Sequence, residues 1–476
     1  MSDWLYYFFC IPVAATTWLL AKKLRFEGKT IALLLSALLL YYFSFYHSTV
    51  YDFSVDAPFH VDYINYLAED FFHNSIIVIT SASAELPKPS LYPLPFYYIA
   101  ATGFYKLGEY SGMSDPLAMA RHFTMILYLG FIFFSILTLR MVVARSSAAY
   151  HPTLAVLLFW PVGVVMGGFI HPDIAAYCVE MAMMYTLVRW LKNPPPTLLA
   201  NAFFLGGLAL LVKSTGLLYI AMTALCLLYS IVQNRRRIRT AINARLLLSI
   251  AVVGTCYFVA AAHHPLNAVT QTHEAPLDFW GHIKMLTYFN PATFVWDTMI
   301  NPYDDNTGYF WHFFLRTLVM GEKFIWKPLV LLFVIGVVFL AQLLYTVVGF
   351  IRRGSITVEE KHQIYFFAVL VCILIGAEFF MRLHRPAEVD MSHARYVFPI
   401  MTMFVMAYGK AMEWHERAGR DTMVRVGRTL ASGWFFLVVA LFLAQHIFLS
   451  TSGNASNSLL PSLGTSHDQT TRSHFR

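Results

Sequence analysis

The chain has 476 residues, of which 58% are hydrophobic and only 13% are charged, and its mean hydropathy is +0.57. Soluble domains average about 45–50% apolar and about 25% charged residues, so this composition excludes an ordinary soluble protein. The net charge of +7 does not indicate nucleic-acid binding, because Lys and Arg stand in short clusters between apolar runs. Such clusters orient membrane proteins and attract anionic lipid. The sequence therefore predicts an integral membrane protein.

Apolar runs of membrane-spanning length recur along nearly the whole chain. A helix needs roughly 17 to 25 such residues to cross the hydrocarbon core of a bilayer. We predict an all-α polytopic bundle of about twelve transmembrane helices. The predicted spans are 4–21, 30–47, 117–140, 152–169, 173–191, 197–212, 215–232, 246–263, 328–350, 363–381, 395–413 and 430–449.

The first apolar run and the cysteines add two exclusions. No positive residue precedes the first run, so a cleaved signal peptide is not predicted. All five cysteines lie in apolar runs without zinc-type spacing, so neither a disulfide framework nor a cysteine metal site is expected. They are Cys10, Cys178, Cys226, Cys256 and Cys372.

The basic clusters predict the orientation. Most of the 34 Lys and Arg residues fall in six short connections, which lie on one side if the spans alternate. The positive-inside rule makes that side cytoplasmic. Residues 93–108 must then lie in the interface, because counting them as a span would invert every later loop. We predict a single domain over 1–449, with long outer loops at about 48–116 and 264–327, and a flexible tail over 450–476.

Unusual polar side chains collect on the predicted outer side. Carboxylates and imidazoles at a membrane boundary usually face a water-filled site. A carboxylate can take the proton of an acceptor hydroxyl, and fixed cations can stabilise a phosphate leaving group. The candidate site residues are Asp56, as catalytic base, and His60, Asp62, Arg121, His171, Asp173, Lys213, Arg382, His384, Arg385, Arg395 and Tyr396.

Ordinary structural roles stay open for several of these residues. Asp173 could cap the span that follows it, because Asp is a preferred helix N-cap. Lys213 could extend to the lipid headgroups. Arg382 and Arg385 could bind lipid phosphate without specificity. Two acids within spans are expected to make helix contacts and not to act in the site: Glu180 and Glu378.

Six short motifs stand in chain order from about residue 50 to 400: VDAPFHVDYINYLAED (55–70), YPLPFYY (92–98), AMARHF (118–123), HPD (171–173), LVKSTGL (211–217) and HARYVFP (393–399). They resemble those of the GT-C glycosyltransferases, polytopic enzymes that use polyprenyl-phosphate sugars. Three resemble the acidic first-loop motif, a Pro-rich Tyr-Tyr stretch and the entry to the following span. The other three resemble a second outer Asp, a Lys-x-Thr-Gly-Leu turn and a late Arg-Tyr-x-x-Pro element.

The resemblance implies a GT-C-like bundle whose first outer loop carries interfacial helices. It implies transfer of a sugar from a polyprenyl-phosphate donor to a lipid, glycan or protein acceptor, with inversion. Asp56 would be the general base that deprotonates the acceptor hydroxyl. The remaining roles it implies are donor-phosphate binding by Lys213, Arg385, Arg395 and Tyr396, and orientation of donor or acceptor by His60 and His171.

One departure from the family pattern concerns the first-loop acid. Many members carry adjacent acids there, whereas Ala57 and Pro58 follow Asp56 in this chain. A metal bound by an acid pair is therefore not predicted, the need for a divalent metal stays open, and no other cofactor is expected. Asp62 stays open as a partner of Asp56 or as the base itself. The resemblance favours a bacterial cytoplasmic membrane with the site on the outer face, or the endoplasmic reticulum in a eukaryote.

Two other functions remain as alternatives. A polysaccharide polymerase or ligase acting on a polyprenyl diphosphate also has about twelve spans and outer Arg and His residues, and the late loop at 264–327 would suit it. A lipid or sugar transporter would place charges near the bilayer midplane, often in two related halves. The charges here lie at the predicted outer boundary and no half repeat is apparent, so the transferase is favoured.

Overall fold

The computed structural model describes residues 8–48, 57–80, 96–233, 243–263, 279–300, 309–321, 329–384 and 394–456. All regular structure in these ranges is helical, which confirms the predicted fold class. The first helices are α1 (Cys10–Lys23), α2 (Gly28–Tyr46), α3 (Ala57–Glu69), α4 (Phe71–Thr80), α5 (Phe96–Tyr110), α6 (Leu117–Val142), α7 (Tyr150–Leu158), α8 (Pro161–Met166), α9 (Pro172–Lys192) and α10 (Pro196–Leu210). The others are α11 (Gly216–Gln233), α12 (Ala244–His263), α13 (Phe279–Thr287), α14 (Pro291–Ile300), α15 (Phe310–Met320), α16 (Leu329–Ile351), α17 (Val358–His384), a 3-10 helix (Ala394–Val397), α18 (Ile400–Arg417) and α19 (Asp421–Ser456).

Seven of the described helices are long and apolar enough to cross a membrane: α2, α6, α9, α12, α16, α17 and α19. Two more, α10 and α11, are apolar but shorter. The chain is therefore a multi-pass integral membrane protein. Each predicted span overlaps one or more described helices, and the starts of α17 and α19 lie before the predicted ones. The total of about twelve spans stays a prediction.

The prediction of one continuous span over 152–169 is wrong. The helix ends at Leu158, and α8 begins at Pro161, whose ring and missing N–H do not fit a helix interior. Side chains from distant helices satisfy the carbonyls freed at this break. The Tyr41 hydroxyl donates to the carbonyl of Leu158 at 2.6 Å, and the Trp434 indole donates to that of Phe159 at 2.9 Å. The carbonyls at the break are therefore hydrogen-bonded within the core.

The predicted outer loops carry helices where they are described. The first contains α3, α4 and α5, and the described part of the predicted interfacial stretch, residues 96–108, lies in α5, which packs on α3 and α6. The second contains α13, α14 and α15. At the other end of the chain, α19 continues to Ser456, past the predicted boundary near residue 450.

Five of the six predicted basic connections meet at one end of the bundle, which we call the basic end. Four contacts join them: Arg140 donates to the carbonyl of Leu24 (3.0 Å), Glu416 accepts from the amide of Ala148 (3.0 Å), Lys192 pairs with Glu359 (2.9 Å), and Arg420 donates to the carbonyl of Arg352 (2.8 Å). The predicted co-location of these connections is confirmed. Which side of the membrane they face stays a prediction.

Candidate functional site

The helix α9 begins at the opposite end of the bundle, which we call the site end. His171 is the N-cap of this helix, and its Nδ1 accepts a hydrogen bond from the backbone N–H of Asp173 at 3.2 Å. The alternative that Asp173 caps the helix is therefore excluded. The carboxylate of Asp173 instead lies in the first turn, where the helix dipole favours a negative charge, and it is free to bind another side chain.

That side chain is Lys213, from the turn between α10 and α11. Its ammonium donates to Oδ1 of Asp173, and only 18% of its side chain is exposed. Lys213 thus binds a buried acid and does not extend to the headgroups. The turn is tight: a Cβ on Gly216 would lie 2.8 Å from the Cβ of Ala209 and 3.0 Å from the amide nitrogen of Leu210. Only glycine fits there without a shift of the turn.

The 3-10 helix brings Arg395 and Tyr396 to the same place. The Lys213 ammonium lies 4.5 Å from the centroid of the Tyr396 ring, and the guanidinium carbon of Arg395 lies 5.2 Å from it. Arg395 also donates to the Tyr396 hydroxyl at 3.3 Å. The carbonyl of Arg395 accepts a hydrogen bond from Tyr177 of α9. Two cations therefore share one aromatic ring in cation–π geometry beside a carboxylate.

Two histidines from separate helices close the site. The His60 ring of α3 lies 4.3 Å from the His171 ring, and its Nδ1 is 2.6 Å from the hydroxyl of Tyr98 on α5. Burial holds the pKa of His60 well below its ordinary value, and burial also lowers the pKa of His171 although Asp173 opposes this. We assign both imidazoles as neutral at pH 7. Nδ1 of His171 lies 3.2 Å from the backbone nitrogen of Asp173 and 3.3 Å from its Oδ1, and we assign Nδ1 as the acceptor of the backbone N–H, which puts the proton on Nε2.

Two polar atoms in this cluster are buried without a hydrogen-bond partner among the described residues: Nε2 of His171 and Oδ2 of Asp173. Buried polar atoms are nearly always paired, so such atoms indicate a ligand or water. One carboxylate and two cations leave one excess positive charge, which suits an anion. The described residues contain no group of three or more metal-ligating side chains, and the Lys213 ammonium already occupies Oδ1 of Asp173.

Two predicted site residues lie elsewhere. Asp62 is exposed, whereas His60 on the same helix is buried, so the two side chains lie on different faces of α3. Arg121 is buried and donates to the carbonyls of Gly168 at 2.7 Å and Phe45 at 2.8 Å. Its guanidinium therefore joins the end of α2 to the turn after α8, and a substrate-binding role for it stays a prediction.

The remaining candidates are only partly described. Asp56 and Arg385 lie outside the described residues, and His384 is the last residue of α17, with a side chain that is not described. Arg382 is buried in the same helix, one turn after Glu378. The charge of Lys213 acts on Glu378. This part of α17 therefore lies on the side of the site.

Sequence reasoning did not assign Tyr98, Tyr177 or Thr215 to the site. Tyr177 lies one helical turn after Asp173, and Glu180 lies two turns after Asp173. Helical spacing therefore places all three on one face of α9. Thr215 donates to Glu180 at 2.7 Å and thereby attaches the Lys213 turn to α9. Glu180 thus contacts a turn, and its prediction as a helix–helix contact without a role in the site stays a prediction.

Comparison with known proteins finds a similarity among solved structures. No family model and no curated protein matches the chain. Among solved structures, the chain is similar to the crystal structure of ArnT from Cupriavidus metallidurans bound to undecaprenyl phosphate, with 15% identity and a TM-score of 0.39. The match covers 91% of this chain and 81% of that one.

Proposed function

We propose that the protein is a membrane glycosyltransferase that moves a sugar from a polyprenyl-phosphate donor to a lipid, glycan or protein acceptor. The observation that carries the proposal is the pair of cations, Lys213 and Arg395, held on the ring of Tyr396 beside the buried Asp173. Cations fixed in this way need not reorganise as negative charge develops on a leaving phosphate. The order of the six sequence motifs supports the same reaction.

In the proposed reaction, the acceptor hydroxyl oxygen attacks the anomeric carbon of the sugar. The bond between that carbon and the phosphate oxygen breaks, and the phosphate leaves with the electron pair. Asp56 takes the hydroxyl proton, since an ionised carboxylate within hydrogen-bond reach can act as a general base. Lys213 and Arg395 stabilise the charge that the phosphate gains. Attack from the face opposite the phosphate gives inversion.

The neutral histidines suit binding better than proton transfer from a charged imidazolium. His171 can donate from Nε2 while Asp173 accepts at Oδ2, which gives a hydroxyl-bearing ligand one donor and one acceptor side by side. His60 stands against His171 and fixes its ring. We propose that this pair positions a sugar hydroxyl, and that the site end faces the outside of a cytoplasmic membrane, as the basic end predicts.

Reconstitution with polyprenyl-phosphate sugars tests the function. We expect sugar transfer by the wild type and at least a hundredfold loss in Lys213→Gln, the range seen when one fixed donor to developing charge is removed. Lys192→Gln at the basic end is the matched control, because Lys192 also pairs with an acid but lies away from the site. Equal activity of Lys213→Gln and Lys192→Gln would contradict the proposal.

A second set of measurements tests the role of Asp56 separately from that of the cations, and tests the transferase against the two alternative functions. Asp56→Asn keeps the size of the side chain and removes the base, so transfer should fall while donor binding persists. Full transfer by Asp56→Asn would remove Asp56 as base. Transfer from a diphosphate-linked oligosaccharide alone would favour a polymerase or ligase, and lipid or sugar movement without covalent transfer would favour a transporter.

A further inference from the structure

A lateral cleft separates two of the membrane-length helices. The helix α16 packs mainly against α18 and α19, whereas α17 packs mainly against α11 and α9, so the two diverge. Between them, α18 forms the floor and α15 closes one end. The cleft has a volume of about 400 Å³. Both walls are long and apolar enough to cross a membrane, and two walls that span a bilayer would open the mouth between them to lipid.

The cleft is long, narrow and apolar. Along α17 its lining runs from Glu360 to Ile375, a rise of about 22 Å at 1.5 Å per residue. Aromatic and aliphatic side chains make up the rest, apart from three polar residues at the basic end. Those three already have partners: Glu360 pairs with Lys410 at 2.7 Å, and Gln363 donates to Glu359 at 3.2 Å. The lining therefore matches the chemistry of a hydrocarbon chain.

Cations flank the mouth of the cleft at the basic end. Arg352 and Arg353 directly follow the end of α16, Lys361 lies in the first turn of α17, and all three are exposed. Arg353 donates to the carbonyl of Phe350, which itself lines the cleft. The neighbouring acids are neutralised, because Glu359 pairs with Lys192, and Glu360 with Lys410 and Arg417. The rim thus carries an excess of positive charge.

We propose that the cleft holds one acyl chain of an anionic phospholipid, whose phosphate lies against Arg352, Arg353 and Lys361. An empty apolar void would lose dispersion contacts along its walls, and basic residues at a membrane surface attract anionic lipid. The site end of α17, at Arg382, lies about 33 Å along the helix from Glu360. This lipid is therefore distinct from a donor whose phosphate binds Lys213.

Retention of lipid by the purified full-length protein tests the proposal. After exchange into vesicles of phosphatidylglycerol and phosphatidylcholine and extraction into detergent, native mass spectrometry should show one retained phosphatidylglycerol. Ala368→Phe and Ala407→Phe fill the cleft and should reduce this species at least fivefold. Val369→Phe is the matched control, because Val369 is adjacent in sequence but exposed and outside the lining. Undiminished retention in both filled variants would overturn the proposal.

The rim is tested separately. Arg352→Gln with Arg353→Gln should abolish the preference for phosphatidylglycerol over phosphatidylcholine, whereas Lys22→Gln with Lys23→Gln, also exposed and at a helix end, should not. A preference that survives the first pair overturns the assigned headgroup position. Retention of an isoprenoid phosphate in place of phospholipid overturns the assigned occupant.

A measurement on unfilled protein covers the case in which the Phe variants fail to fold. Trp311 lines the cleft, so phosphatidylglycerol with brominated acyl chains should quench its fluorescence. The quenched fraction should fall in Trp311→Phe relative to the wild type. An identical quenched fraction in the two proteins would also overturn the proposal.

Discussion

The ammonium of Lys213 donates to Oδ1 of Asp173 and joins a turn between two helices to the first turn of a third. The same ammonium lies over the ring of Tyr396, which adds a fourth element, 183 positions later in the chain than Lys213. One flexible side chain is thus held on two sides. A cation immobilised in this way can stabilise developing charge without first losing side-chain entropy.

Variants of Asp173 and Lys213 should show different effects on the unfolding temperature and on sugar transfer. Removing one partner of a buried ion pair costs about 3–5 kcal/mol at full burial, and less here because 18% of the Lys213 side chain is exposed. We expect Asp173→Asn and Lys213→Met each to lower the unfolding temperature. The double variant removes both charges of the pair together and should recover much of the stability, but not the transfer.

Thermal unfolding in detergent and the transfer assay, run on all four proteins, form a double-mutant cycle that isolates the interaction. Additive losses of stability would show that the pair is not coupled. Recovery of transfer in the double variant would show that Lys213 acts only through Asp173.

Much of this arrangement follows from the sequence. Apolar runs locate the helices, and the basic connections indicate which helix ends lie on the same side. The candidate residues could therefore be assigned to one end before any contact was known. His60, His171, Asp173, Lys213, Arg395 and Tyr396 do meet there. Which of them touch is set by helix packing across long sequence separations, and no local pattern reports that.

The glycine of the Lys213 turn gives a second prediction. In Gly216→Ala the new methyl group would meet Ala209 and the backbone of Leu210, so the turn must move and carry Lys213 away from Asp173. We expect a large loss of donor binding and a lower unfolding temperature. Gly254→Ala is the control, since a Cβ at Gly254 meets nothing within 4 Å, and Ala in a helix is normally stabilising.

A third prediction concerns Arg121, whose planar group reaches two carbonyls in different segments. Lysine cannot reproduce both bonds, so Arg121→Lys should leave a buried carbonyl unsatisfied and cost about 1–3 kcal/mol of stability. If Arg121 is only structural, the apparent KM for donor stays unchanged in the protein that remains folded. A raised KM at unchanged kcat would instead support the substrate-binding role predicted from the sequence.

The break between α7 and α8 gives a fourth prediction. Trp434→Phe keeps most of the ring but removes the N–H that binds the carbonyl of Phe159, and the cost of an unsatisfied buried acceptor is about 1–3 kcal/mol. Trp296→Phe is a control at a position that is 63% exposed. Equal unfolding temperatures of the two variants would show that another group satisfies the carbonyl.

The same break shows where sequence reasoning fails. Hydropathy does not report this interruption, because the residues around Pro161 are as apolar as those of a continuous helix, and the local signal for it is Pro161 itself, whose ring and missing N–H do not fit a helix interior. The partners Tyr41 and Trp434 lie far away along the chain, so their hydrogen bonds are also invisible locally. The face of α3 that carries Asp62 is likewise decided by packing on α5.

The buried histidines make stability depend on pH. Tyr98, Asp173, Lys213 and Arg395 face the imidazoles of His60 and His171, and burial lowers the pKa of both. Below pH 6.5 the unfolded chain therefore binds more protons than the folded protein, and stability falls as the pH falls. We expect a drop in unfolding temperature from pH 7.5 to 5.5 that is smaller in His60→Gln. The exposed His73→Gln serves as control, and an equal drop in all three proteins would contradict neutral burial of His60.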